Sequence, residues 1–154
     1  MTLDEFFRIG TTVTLGSHRF EPEEIKAFAR KYDPQVFHVD EEAAKASVLG
    51  GLCASGWHTA ATWMKYNLEA RMDAEGWTGP GPVPEFGPSP GFKNLKWLKP
   101  VYAGETVTFT RTALSHRPIA SRPGWRLLAL RSEAFDSTGD KVLEFESAVL
   151  VKTE

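Results

Sequence analysis

Cysteine is scarce in this sequence: Cys53 is the single one among 154 residues. No intrachain disulfide can form, which favours a reducing compartment, and we expect a cytoplasmic protein. Long apolar runs are also missing, since none approaches the ~18 residues of a membrane-spanning helix. The first residues include Asp4 and Glu5 and lack the basic start and apolar stretch of a secretory signal. We therefore expect no membrane partner.

Basic residues are not in excess. Lysine and arginine number 18 against 20 aspartates and glutamates, which gives a net charge of −2. This balance gives no electrostatic support for nucleic-acid binding. The sequence also lacks a GxGxxG motif, a P-loop and any cluster of cysteine, histidine and aspartate at metal-ligand spacing. We expect neither a metal ion nor a bound cofactor.

The composition is that of one globular domain covering residues 1–154. Hydrophobic residues make up 42% and charged residues 25% of the chain, as in ordinary globular proteins. The length also favours a single domain.

Two helices are predicted before residue 50. The first starts at Glu21, and Pro34 ends it because the residue before a proline avoids helical geometry. Asp33 therefore lies where the helix gives way to a loop. Asp40 is a suitable N-cap for a short second helix over residues 41–47.

A long third helix is predicted from Ser55 to about Ala74. Its first half is largely apolar, and a stripe at helical spacing predicts burial along that length. The stripe consists of Trp57, Ala60, Ala61, Met64 and Leu68.

The second half of the chain predicts strands. Residues 105–114 alternate between apolar residues and threonines, which is the period of a β-strand. Further strands are expected at 11–20, 92–98, 125–135 and after a hairpin turn at 137–140. Helices followed by antiparallel strands indicate an α+β fold with the sheet packed on the long helix.

Residues 76–91 contain five prolines and five glycines and cannot form a helix or a central strand. A connection of this length in a small domain is either functional or a surface excursion. Both interpretations are open from the sequence.

Asp33 and His38 form the first candidate for chemistry, because an acid and an imidazole five residues apart can hold one water between them. Structural roles at a helix end and in a loop are the alternative.

Gly56 adds to the pair: its amide, in the first turn of the long helix, has no intrahelical acceptor and lies at the positive end of the dipole. It can stabilise negative charge on a thioester oxygen. Together these parts suit addition of water to an unsaturated thioester, or its removal.

The other candidates are weaker. His58 can reach the same cavity, but a hydrogen-bonded core histidine is the simpler interpretation. For Cys53 we expect a small buried thiol rather than a nucleophile. His18 and His116 have no partner that the sequence identifies.

The stretch from Phe28 to Ala61 resembles the MaoC-like acyl dehydratases, relatives of the (R)-specific enoyl-CoA hydratases. Asp33 and His38 occupy the acid and imidazole positions of the Asp-x-Asn-Pro-x-His motif, with Gln35 and Val36 in place of Asn-Pro. Gly56 matches the glycine of the helix start. Residues 91–105, which contain Pro100-Val101 and Gly104-Glu105, resemble the family's Pro-Val-x-x-Gly-Asp/Glu turn.

The resemblance implies a hot-dog fold, in which five antiparallel strands wrap the central helix and two protomers pair with a site near their interface. It implies reversible hydration of a 2-enoyl thioester, on CoA or an acyl carrier, with Asp33, His38 and Gly56 as catalytic groups. The acyl chain is expected along the helix, under the segment 76–91. The substrate-binding residues expected by resemblance are Phe37, Ser55, Trp57 and Met64.

Two other functions are open. A hot-dog thioesterase usually has a carboxylate on or beside the central helix, and the first one within the predicted helix is Glu69. A non-catalytic acyl-thioester-binding protein is the third possibility, although such a protein has no need of both Asp33 and His38.

Overall fold

A single antiparallel sheet contains most of the second half of the chain in the computed structural model, which describes residues 1–70 and 76–154. The helices within these residues are α1 Leu3–Phe7, α2 Pro22–Tyr32, α3 Val36–Val39, α4 Glu41–Lys45 and α5 Gly56–Glu69. The strands are β1 Thr12–Arg19, β2 Glu85–Phe86, β3 Gly91–Trp97, β4 Thr106–Pro118, β5 Trp125–Phe135 and β6 Lys141–Lys152.

The strand order is β1-β4-β5-β6, and β2 and β3 both pair with β6, at Val151–Lys152 and at residues 143–148. Every pairing is antiparallel, which confirms the predicted class of sheet. The β5–β6 turn is also confirmed: Asp136 accepts hydrogen bonds from the amides of Thr138 and Asp140, each at 3.0 Å. Strand β2, which has two residues, was not predicted.

The core lies between the sheet and α5. The predicted alternation holds in the first part of β4, where Val107 and Phe109 are fully buried and Thr108 between them is partly exposed. It ends at residues 111–113, which are all buried. Phe145 of β6 meets Trp63 of α5 edge to face, with ring centroids 4.7 Å apart. Tyr66 stacks on Phe109 at 5.7 Å. These aromatic contacts attach the long helix to the sheet.

The apolar stripe predicted to bury α5 is on the wrong face. Trp57, Met64 and Leu68 are 53%, 46% and 61% exposed. The buried face instead consists of His58, Thr59, Thr62 and Trp63. The prediction failed because threonine can be buried in a helix when its hydroxyl bonds the preceding turn, as Thr62 does to the carbonyl of His58 at 2.8 Å. The predicted extension to Ala74 falls on residues 71–75, outside the described part of the chain.

Two short helices were not predicted. Helix α1 is preceded by Thr2, which forms a capping box with Glu5, so the Thr-x-x-Glu spacing was the available signal. Its Phe6 lies 5.4 Å from the Trp77 ring and 6.4 Å from that of Phe86. The glycine- and proline-rich segment therefore packs on α1. Helix α3 lies where a loop was expected.

The burial of α5 predicts the effect of two tryptophan substitutions. Trp63→Ala should lower the free energy of unfolding by about 3–5 kcal/mol, because it removes a buried ring and leaves a cavity. Trp57→Ala should lower the free energy of unfolding of the single protomer far less, since that ring is half-exposed. Urea unfolding at a fixed protein concentration measures both. Equal losses for the two variants would contradict the assignment of the faces.

Candidate active site

A cavity of about 370 Å³ lies at the start of α5 and contains Asp33, His38, Gly56 and Trp57. Its apolar wall is formed by Leu49, Trp57, Trp97, Leu98, Val101 and Val142. A second cavity of about 400 Å³ lies against α1 and Arg111. We place the candidate site in the first cavity, because it combines an acid, an imidazole and a helix N-terminus.

Residues Leu52–Ala54 form the frame of this site. The Cys53 amide donates to the Phe37 carbonyl at 3.1 Å, which connects the segment to α3. On its other side the Ala54 amide donates to the Val101 carbonyl at 2.8 Å, and the Ala103 amide donates to the Leu52 carbonyl at 2.9 Å. The frame thus joins the two parts of the sequence that carried the family resemblance, and it leads directly into α5.

His38 is buried, and the frame determines its hydrogen position. Its Nδ1 lies 2.6 Å from the Cys53 carbonyl oxygen. Because that oxygen can only accept, Nδ1 carries a hydrogen, and Nε2 is the ring nitrogen left to exchange a proton. Nε2 lies 3.5 Å from Oδ2 of Asp33. The nitrogen that can exchange a proton therefore faces the carboxylate.

Asp33 is the C-cap of α2, where Pro34 ends the helix. The Gln35 side-chain amide donates to Oδ1 and the Ser55 hydroxyl donates to Oδ2, each at 2.7 Å. Burial opposes ionisation, but these two donors and His38 outweigh it, so the pKa of Asp33 lies below its ordinary value. Asp33 is therefore a carboxylate at neutral pH.

Ser55 is the N-cap residue of α5, but its side chain is turned to Asp33 and its hydroxyl makes no capping hydrogen bond. Within the described residues, the Gly56 amide has no hydrogen-bond acceptor. This amide is the first of the helix, where the dipole favours negative charge. It is available to a ligand oxygen in the cavity.

Trp97 of β3 covers Gly56. A Cβ atom added to Gly56 would lie 2.4 Å from Cε2 of the Trp97 ring, so only glycine fits beneath the indole. Trp57 meets Trp97 edge to face, with ring centroids 4.9 Å apart. Two tryptophans thus form the wall beside the free amide.

The remaining predicted residues lie elsewhere. Ser55 is completely buried behind Asp33. Phe37 packs on the core and meets the His38 ring edge to face at 4.6 Å. Met64 is on the exposed face of α5 and does not line the cavity. The residues of the segment 76–91 do not line it either. Within one protomer, no contact of this segment with the cavity supports the expectation that it covers the acyl group.

Two residues of the site were missed as contributors. Gln35 was noticed only as a departure from the family motif, although an amide two residues from Asp33 was a usable signal. Trp97 had no local signal, since its approach to Gly56 depends on the pairing of β3 with β6. Across residues 1–70 and 76–154, no group of three potential metal ligands lies together.

The other histidines have partners outside the cavity. His58 is buried, and its Nε2 lies 3.1 Å from Oε1 of Glu24. His18 approaches the same oxygen at 2.6 Å. His116 lies 2.8 Å from Asp4 at the opposite end of the sheet. The core interpretation of His58 is thus supported.

The arrangement of sheet and central helix is that of a hot-dog fold, as known structures also show. Residues 6–120 match the family described as the MaoC like domain, so the chain belongs to that family. The MaoC-like dehydratase from Rhodospirillum rubrum has a TM-score of 0.82 and 32% identity, covering 100% of this chain and 98% of its own.

Two further relatives extend the comparison. The uncharacterized protein YdeM of Bacillus subtilis (strain 168) is 30% identical over 152 residues, covering 99% of both chains. The (R)-hydratase from A. caviae involved in PHA biosynthesis has a TM-score of 0.64 at 21% identity, covering 95% of this chain and 96% of its own. At that identity the second likeness concerns the fold alone. None of the described helices has the length and apolarity to cross a membrane.

The hydrogen bond from Ser55 to Asp33 should be measurable as pH-dependent stability. Ser55→Ala removes a buried donor to a charged group, which should cost about 1.5–3 kcal/mol at neutral pH. Because the pKa of Asp33 is lowered in the folded state, this contribution is fully present above its unfolded pKa of about 3.9 and is lost as pH falls through the folded value. The difference in the free energy of unfolding between the variant and the parent should therefore disappear in acid.

Ser132 provides a matched control. It is also fully buried, but its hydroxyl has no hydrogen-bond partner among the described residues. Ser132→Ala should cost little and show no comparable pH dependence. Urea unfolding between neutral and acidic pH tests both variants, and an equal, pH-independent loss would contradict the role of Ser55.

Proposed function

We propose that this protein reversibly adds water to a 2-enoyl thioester to form a 3-hydroxyacyl thioester. The observation that carries the proposal is the cavity in which Asp33 Oδ2 and His38 Nε2 lie 3.5 Å apart beside the free amide of Gly56. The family supports hydro-lyase chemistry, and the solved R. rubrum relative is described as a dehydratase. The A. caviae neighbour is described as an (R)-hydratase.

The acid and imidazole would hold the reacting water. Both Asp33 and the free Nε2 of His38 accept hydrogen bonds, so one water can donate a hydrogen to each. Its oxygen bonds to C3 of the substrate, while the pair receives the proton that the water loses. The same pair then delivers a proton to C2, so that one water is consumed and the two groups are restored.

The amide of Gly56 would stabilise the charge that forms during this addition. When the water oxygen bonds to C3, the electrons of the C2–C3 double bond move towards the thioester and give its oxygen enolate character. A helix N-terminal amide next to that oxygen lowers the energy of the enolate. Ser55 supports this role because its hydroxyl is directed to Asp33 and leaves the helix start uncapped.

The proposed substrate is an acyl-CoA or an acyl-carrier thioester of fatty acid metabolism. CoA enters only as part of the substrate, and the proposed reaction uses no other cofactor. The apolar wall with Leu49, Trp97 and Val142 suits the acyl group. Trp57 fits the assigned substrate-binding role best, since it is the only one of the four predicted contact residues in the cavity lining.

We also propose that two copies pair through the exposed apolar face of α5 and the neighbouring β3. Trp57, Met64 and Leu68 are exposed on the helix, and Phe92 and Trp97 are exposed on the strand. Burial of such a surface is favourable and would complete the wall of the cavity.

Sedimentation equilibrium should give a dimer that Met64→Lys weakens. A monomer at micromolar concentration would contradict this proposal.

Substitution of the acid or the imidazole should remove hydratase activity. Asp33→Asn and His38→Ala should each lower kcat for hydration of crotonyl-CoA by about 10²–10⁴-fold, the usual contribution of an acid–base group. The loss of absorbance of the enoyl thioester measures the rate. Asp4→Asn is the control, because it alters another aspartate–histidine contact, that with His116, outside the cavity.

The same reaction distinguishes other functions. If the parent protein hydrates enoyl thioesters and both site variants keep that activity, the assignment is wrong. Release of free CoA would indicate a thioesterase, for which Asp33 beside the helix start is the suitable carboxylate, since Glu69 is exposed at the far end of α5. Tight binding without turnover over a broad acyl panel would indicate a binding protein.

The contribution of the Gly56 amide can be measured by removing its hydrogen. Gly56 is the first residue of α5, a position that tolerates proline, and Ser55 already has extended backbone angles. Because Trp97 crowds this position, the comparison uses Trp97→Ala as background. In that background Gly56→Pro should lower kcat by about 10²–10³-fold relative to Gly56→Ala, which keeps the N–H. Equal rates would exclude the amide as an oxyanion donor.

A further inference from the structure

Outside the cavity, three secondary-structure elements meet at one carboxylate oxygen. Oε1 of Glu24, on α2, lies 2.6 Å from Nε2 of His18 on β1 and 3.1 Å from Nε2 of His58 on α5. The Tyr66 hydroxyl lies 3.0 Å from the other ring nitrogen of His18. These four residues are called the Glu24 cluster. A carboxylate can only accept, so both Nε2 atoms donate to it.

His58 depends on this carboxylate. Its ring stacks on Phe28 with centroids 4.6 Å apart and meets Phe20 edge to face at 5.1 Å. Burial lowers the pKa of His58 although Glu24 opposes the shift, so the ring is neutral at physiological pH. Its Nδ1 has no partner among the described residues. Loss of Glu24 would therefore leave both nitrogens of a buried ring unpaired, which is costly.

The cluster and the candidate site share the same two helices. Helix α2 contains Glu24 and ends at Asp33, while α5 begins at Gly56 and contains His58 in its first turn. The helices are connected at Asp33 by the Ser55 hydroxyl and, nine residues earlier on α2, at Glu24 by His58. Two connections at different points fix the direction of one helix relative to the other.

We propose that Glu24 is a positioning residue, whose contacts with His18 and His58 hold α2 so that Asp33 stays against Ser55 and His38. As a role in catalysis this rests on the proposed hydratase function. Glu24 does not line the cavity. It acts through Asp33, whose carboxylate is held in place by the Ser55 and Gln35 hydrogen bonds.

The test compares Glu24→Ala with Glu24→Gln and Lys26→Ala. Carbon-13 NMR titration of the Asp33 carboxyl should show its pKa rising towards the ordinary value in Glu24→Ala. The variant leaves His38 and Cys53 unsubstituted. For crotonyl-CoA, kcat should fall about tenfold with KM within about twofold, because a small misplacement of a catalytic group lowers the rate of the chemical step. Glutamine keeps an acceptor oxygen and should restore most of both properties.

Lys26→Ala is the matched control on the same helix. It removes ion pairs with Glu23 at 2.7 Å and Glu41 at 3.0 Å, neither of which reaches α5. The Asp33 pKa and kcat should stay at their parental values. A parental Asp33 pKa and kcat in Glu24→Ala, or equal changes in Lys26→Ala, would overturn the proposal.

His58→Ala provides a second route if Glu24→Ala does not fold. It should reproduce the change in the Asp33 pKa, and His58→Gln, which keeps a donor near Nε2, should reverse it. Additive changes in the Glu24→Ala/His58→Ala double variant would overturn the proposal, since residues of one contact act as a unit. Failure of the parent protein to hydrate any enoyl thioester would reject the proposed function alone, because the NMR comparison still decides whether Glu24 positions Asp33.

Discussion

The site depends on the main-chain hydrogen bonds of Leu52–Ala54. These residues bond on one side to α3 and on the other to Val101 and Ala103, and they continue directly into α5. The imidazole is therefore oriented by the same short segment that places the helix amide. Because its backbone groups are shared between two neighbours, the segment cannot shift towards one without losing hydrogen bonds to the other.

Ser55 has the second decisive role, and it arises from the direction in which its side chain is turned. At an N-cap position a serine ordinarily satisfies an amide of the first helical turn. Here the side chain is turned to Asp33, to which its hydroxyl donates, and it caps no amide of the helix. The acid gains a donor that favours its charged form, and the helix start keeps an amide free. One side chain thus contributes to both halves of the proposed chemistry.

Local sequence signals predicted where Asp33 and Gly56 lie relative to the helices, because each position depends on backbone rules. Pro34 ended a helix at Asp33, and the glycine after Ser55 began another. Signals of this kind cannot report contacts between distant elements. The approach of Trp97 to Gly56 and the convergence of His18 and His58 on Glu24 required the register of the sheet and the crossing of two helices.

The orientation of α5 was mispredicted for a related reason. Apolar periodicity shows that a helix has an apolar face but does not say which surface covers it. On the opposite side Thr62 can be buried because its hydroxyl bonds within the helix. The stripe with Trp57, Met64 and Leu68 is instead exposed. The glycine- and proline-rich segment was ambiguous until its aromatic residues were seen against α1.

The hydrogen bond from His38 to the carbonyl of residue 53 makes the protonation pattern of the imidazole independent of side-chain identity. A replacement of Cys53 by another small residue leaves the accepting oxygen in place, so the tautomer should persist. Sequence drift at this position can then alter the cavity wall while the proton-accepting nitrogen still faces the carboxylate. A main-chain acceptor therefore allows the cavity to diversify without changing the proposed acid–base chemistry.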